Sequence, residues 1–96
     1  MKQKLQQILD HYGPEAQFEQ FRCEVAELGL ALSRLAIHNQ KINIDQVAEE
    51  IADVMNMADQ FCMTHRLTDR ITVGRMEKIE RQLGRMQNEN YRPKNL

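Results

Sequence analysis

The chain of 96 residues carries 13 Lys+Arg against 14 Asp+Glu, a net charge of −1, with 42% hydrophobic and 28% charged residues. That length suits one small domain near the lower limit for a self-sufficient core, and the composition excludes both a disordered chain and a basic field that would recruit nucleic acid. Cys23 and Cys62 make neither a CxxC metal motif nor a disulfide framework, and no run is apolar enough to span a membrane. The expectation is a reduced, cytoplasmic protein that gains further apolar burial by associating with copies of itself.

In chain order, residues 2–12 read as a short first helix with Leu5, Ile8, Leu9 and Tyr12 on one face. Gly13-Pro14 breaks it, and Pro14 suits the first turn of a second helix that runs to about His38. Asn39-Gln40-Lys41 is a polar connection, after which Asn43 and Gln46 form a capping-box pattern opening a third helix to about Met63. Thr64 to Leu67 reads as a turn, and Thr68 or Asp69 caps a fourth helix whose seam is Met76, Ile79, Leu83 and Met86. Gly74 and Gly84 weaken that helix by about 1 kcal/mol each relative to Ala, so it depends on tertiary packing. Pro93 stops any helix, which leaves one all-α domain over residues 1–90 and a loose tail over 91–96. No segment alternates with period two, so the predicted class is all-α, a bundle of about four helices.

The two long central helices carry the chemistry. Phe18, Phe21, Val25, Leu28, Leu32 and Leu35 recur at steps of three and four, as do Ile44, Val47, Ile51, Val54, Ala58 and Phe61. Each series predicts a narrow buried seam on an amphipathic helix. Beside the seams lie Glu24 and Glu27 on one helix, Glu50 and Asp53 on the other, each carboxylate one residue ahead of a seam position. Spacing of three puts both members of a pair on one helix face. The same spacing recurs at Glu77 and Glu80, so register against the seam, and not spacing, singles out the first two pairs. In an antiparallel hairpin the four carboxylates flank one side of the seam, where a merely structural pair would set opposite charges. Two like charges about 4 Å apart at an effective dielectric near 20 repel by about 4 kcal/mol, which calls for a cation between them. Mg²⁺, with Mn²⁺ as a substitute, takes oxygen ligands of this kind together with substrate phosphates. The alternative at this stage is a pair of solvated acidic faces.

Around that cluster, Lys78, Arg81 and Arg85 make a positive stripe on the fourth helix, able to hold outer phosphates or simply to pair with Glu77 and Glu80. Gln17, two turns before Glu24, and Gln20 could read a base or remain exposed, and Asn56, one turn after Asp53, is a further binding candidate. His11, His38 and His65 fall at predicted helix ends and read as solvated caps. No glycine-rich phosphate loop and no Glu-x-x-His pair occurs, which argues against a P-loop enzyme and against a di-iron bundle.

The text Cys23-Glu24-Val25-Ala26-Glu27, followed after a helix-to-helix interval by Glu50-Ile51-Ala52-Asp53, with Gln17 seven residues ahead of Glu24, resembles the EExxE…ExxD hallmark of the MazG-like all-α nucleoside triphosphate pyrophosphohydrolases. The resemblance spans about residues 13–63, with a looser echo at Lys78 and Arg81. It departs at Cys23, which stands where the hallmark has its first Glu. The resemblance implies Mg²⁺-dependent hydrolysis between the α and β phosphates of a nucleoside triphosphate, giving a monophosphate and pyrophosphate. In that reading Glu24, Glu27, Glu50 and Asp53 are the metal ligands and catalytic carboxylates, and Gln17, Asn56, Lys78 and Arg81 meet the substrate. It also implies a homodimer or homotetramer. The rival expectations are a non-catalytic helical interaction module, whose carboxylates meet a basic partner, and a degenerate member that binds nucleotide without turnover.

Overall fold

The computed structural model describes residues 1–38 and 42–89, with side chains described within 1–36 and 44–89. Its architecture is all-α: α1 (Lys2–Tyr12), α2 (Pro14–His38), α3 (Ile42–His65) and α4 (Thr68–Glu89). The expected connection at 39–41 and the expected tail at 91–96 lie outside the described residues. The chain forms two compact units, Met1–His65 and Arg66–Leu96. Among the described residues no helix is long and apolar enough to cross a membrane.

The first unit is a helical hairpin with a short helix laid against it. α2 and α3 pack along their length, and α1 touches both. Their direction is antiparallel, because Phe18 and Phe21 near the start of α2 meet Phe61 near the end of α3, at ring-centroid distances of 5.7 and 5.9 Å. Aromatic contacts at such distances contribute about 0.5–1.5 kcal/mol each beyond their buried area. Leu5 and Leu9 of α1, Ala31 of α2, and Val47 and Met57 of α3 are the buried apolar side chains.

The corner between α1 and α2 is set by Gly13. Its N–H donates to the Leu9 carbonyl at 2.8 Å, closing α1, while its own carbonyl accepts from the Gln17 N–H at 3.1 Å, opening α2. Between those two bonds the backbone takes φ 88°, ψ 155°, a region essentially confined to glycine. Pro14, with no N–H to leave unpaired, fills the first position of α2.

The helix boundaries agree with the sequence within one or two residues, with two differences. α3 runs on through Thr64 and His65, so the turn shrinks to Arg66 and Leu67, with Arg66 in the left-handed region at φ 55°. α3 also includes Ile42, one residue ahead of the expected cap at Asn43, whose side chain lies outside the described residues.

The seams differ more. Phe21, Leu28 and Leu35 on α2 and Val47, Val54, Ala58 and Phe61 on α3 face inward or partly inward as expected. Phe18, Val25 and Leu32, and Ile44 and Ile51, are instead exposed, Val25 at 49% and Ile51 at 42%. The inward face is rotated by part of a turn, so that Ala31 and Met57 enter it and Glu24 and Glu50 sit partly buried within it. In the second unit, α4 buries none of its residues, and the expected seam of Met76, Ile79, Leu83 and Met86 is exposed. A 22-residue helix needs no partner to satisfy its backbone, but four such side chains on one stripe leave its apolar face open.

One substitution has opposite signs at two glycines. Gly13→Ala forces a Cβ into a glycine-only conformation and is expected to destabilise the chain by about 1–3 kcal/mol. Gly29→Ala lies in mid-helix, where a new methyl meets nothing within 4 Å, and is expected to stabilise by about 1 kcal/mol. Urea denaturation of the two variants beside the parent checks both signs.

Candidate functional site

α2 brings Glu24 and Glu27 onto one face and α3 brings Glu50 opposite them, and one carboxylate oxygen from each lies within 4.8 Å of the other two. Glu24 and Glu50 are partly buried and Glu27 is exposed. Glu24 Oε1 accepts a hydrogen bond from Gln20 Nε2 at 2.7 Å. The other oxygens of the inward pair, Glu24 Oε2 and Glu50 Oε2, are shut off from solvent and have no hydrogen-bond partner. Two unit charges at this separation repel by about 3.5 kcal/mol at an effective dielectric near 20, an upper value because Glu27 remains open to screening water. Among the described residues of the first unit, the one ion pair is Arg22 with Glu19 at 3.1 Å, an exposed contact on α2 that leaves the cluster without a cation. Packing therefore holds together two carboxylates that electrostatics would separate.

The consequence falls on Glu24. Burial pushes its carboxyl above the ordinary value of 4.5, and the neighbouring carboxylates of Glu27 and Asp53 push the same way, while the Gln20 hydrogen bond opposes them.

The other candidates divide. Asp53 is exposed, and its charge is felt at Glu24, although it is not one of the three mutually close carboxylates. Gln17 is half-buried and borders a cavity of ≈ 530 Å³ where the start of α2 meets the end of α3, and Leu9, Phe18, Met57 and Phe61 form its apolar walls. Asn56 is exposed and does not border that cavity. Lys78, Arg81 and Arg85 are exposed on α4 in the second unit. Cys23 is an exposed free thiol and Cys62 a half-buried one. His65 is exposed in the last turn of α3, as expected, with its ring centroid 4.4 Å from that of Phe61 at the edge of the cavity.

Sequence reasoning missed Gln60. Among the described residues it is the one buried polar side chain, 3% exposed, and its Oε1 has no hydrogen-bond partner. A signal was present, since Gln60 follows Asp53 by the same seven residues by which Gln17 precedes Glu24. In an antiparallel hairpin those two intervals run the same way, so both glutamines arrive at one end, about 10 Å from the carboxylates along the helix axes.

No family model, curated protein or solved structure matches the chain. The site is therefore read from its own chemistry.

A carboxyl raised on folding stabilises the folded state at low pH. That contribution is fully present below about 4.5 and is lost as pH rises through the raised value. Without divalent metal, Glu24→Gln is expected to remove this loss and to leave the variant more stable than the parent at pH 7. Thermal melts of parent and variant across pH 3.5–8 in a chelating buffer measure it. A parent profile that rises with pH while the variant stays flat would contradict the assignment.

Proposed function

We propose that the protein is a Mg²⁺-dependent nucleoside triphosphate pyrophosphohydrolase of the MazG-like kind, cleaving between the α and β phosphates. One observation carries the reading: Glu24 and Glu50 place oxygens in the α2–α3 seam that have neither solvent nor partner. A structural hairpin gains nothing by burying two unpaired acids, whereas a cation removes both the repulsion and the unmet oxygens.

Glu24, Glu27 and Glu50 would hold the ion, with Asp53 close enough to add charge. When bound, a divalent ion neutralises phosphate oxygens and lowers the pKa of a coordinated water. The exposed carboxylate of Asp53, outside that trio, would orient a water and take its proton. Water oxygen then attacks the α phosphorus, the bond from that phosphorus to the bridging oxygen breaks, and pyrophosphate leaves with the electron pair. Gln20, by its bond to Glu24 Oε1, fixes the rotamer that turns Oε2 inward. Lys78 and Arg81 are exposed cations of the second unit, and the reading rests on the first unit alone.

The exposed apolar strip of Phe18, Val25, Leu32, Ile44, Ile51 and Met55 favours assembly with a second copy. The same strip is what a non-catalytic module would offer a partner helix, and metal binding separates the two readings. Sedimentation velocity is expected to give a dimer or tetramer, and Val25→Glu with Ile51→Lys to shift it toward monomer.

Because Mg²⁺ binds only the folded site, it is expected to raise the melting temperature in proportion to log concentration above its dissociation constant. Glu50→Gln is expected to abolish that rise and to lower pyrophosphate release at least a hundredfold in a screen of common and damaged nucleoside triphosphates. Equal melting curves with and without Mg²⁺ would dispose of the metal site. Release that survives Glu50→Gln would place the activity elsewhere.

A further inference from the structure

We infer that α4 is a self-association helix, whose apolar stripe pairs in parallel with the α4 of a second copy of the chain. Met76, Ile79, Leu83 and Met86 step by three, four and three, the spacing that turns one seam toward a partner helix. All four are exposed, between 48% and 63%, and no residue of α4 is buried. Thr72, one turn ahead of Met76, continues the seam. Its hydroxyl donates to the Thr68 carbonyl at 3.0 Å, so it brings no unmet polar group into a pairing. Gly74 and Gly84 lie off the seam, where they lower helix propensity without removing a contact.

Charge indicates what covers the stripe, and in which direction. Arg75 and Glu80 flank the seam on opposite sides, and among the described residues neither makes an ion pair within the chain. In a parallel pair the residue just before a seam position faces the residue five places further along the other helix. Arg75 of each copy therefore faces the partner's Glu80, twice over by symmetry. Gln82 faces the partner's Gln87 by the same rule, and two amides can both donate and accept. An antiparallel pair with Met76 opposite the partner's Met86 gains Arg75–Glu89 contacts at its ends. It also sets Glu80 against the partner's Glu80 at its centre, where like charges repel, and the parallel pair has no such conflict. Lys78, Arg81 and Arg85, which carry the excess positive charge of α4, lie on the face away from the seam. With one flank basic and the other acidic around Met76 and Ile79, a second copy complements the helix and a partner of uniform charge does not.

The pairing stands on α4 alone and does not depend on whether the carboxylates hold a metal. The test is sedimentation velocity of the full chain over a concentration series, with helicity followed by circular dichroism. Leu83→Asp is expected to lower the mass by one assembly step, from tetramer to dimer or from dimer to monomer. Glu80→Arg sets like charges across the seam and is expected to weaken association about fivefold at low salt. Adding Arg75→Glu to it reverses the pair and is expected to restore association. Both charge positions are exposed, so these variants decide the matter even where Leu83→Asp loses helicity. Direction is read by Met76→Cys in a chain carrying Cys23→Ser and Cys62→Ser, treated with oxidised glutathione. A parallel pair sets the two positions side by side and gives a covalent dimer, whereas the antiparallel pair parts them by about 15 Å, beyond disulfide reach. A parent chain that stays monomeric, or a mass unchanged by Leu83→Asp, overturns the inference and leaves the stripe to a partner of another kind. Failure of Arg75→Glu to restore association, or no covalent dimer, overturns it equally.

Discussion

Two carboxylates occupy places in the α2–α3 interface where an apolar side chain would bury with gain. Glu24 and Glu50 enter the seam, and Val25 and Ile51, their neighbours by one residue, turn outward instead. That exchange sets much else. It exposes a strip of large apolar side chains and holds like charges within 4.8 Å of one another. Each effect alone is unfavourable or neutral for an isolated hairpin. Together they describe a hairpin that keeps acids in its seam and large apolar side chains on its surface.

What keeps the acids together is the apolar and aromatic packing on either side of them. Toward the α1 end, Phe18 and Phe21 close on Phe61, and Leu5 and Leu9 of α1 lie against the hairpin. The Gly13 corner makes this possible, since only its unusual backbone lets α1 end on one hydrogen bond while α2 begins on the next. The hairpin thus has an acidic stretch, with an aromatic pocket two turns away along both helices. Rigid helices fix that interval far better than loops would.

Burial and charge act on Glu24 in the same sense. Desolvation disfavours its anion first, and the carboxylates of Glu27 and Asp53 add to that. The Gln20 amide is the one local group working the other way, and it reaches only Oε1. Oε2 is left to whatever enters the site.

The sequence by itself determined the helices and their chemistry-bearing faces. Period-3.6 patterning, Gly13-Pro14 and the run of polar residues after His38 placed four helices to within a turn, because those signals are local and act through backbone geometry. The i,i+3 spacing put Glu24 with Glu27 on one face, and the antiparallel return brought Glu50 to meet them. Which face turns inward was decided only by the tertiary structure. Val25 and Glu24 differ by one residue, and a periodic pattern assigns the apolar one to the core, yet in the packed hairpin Val25 is exposed and Glu24 partly buried. Gln60 escaped notice for the same reason: a glutamine between Asp59 and Phe61 reads as surface until the packed helices bury it to 3% exposure. Helix formation is local and written in spacing, whereas burial is a property of pairs of surfaces that no single stretch of chain contains.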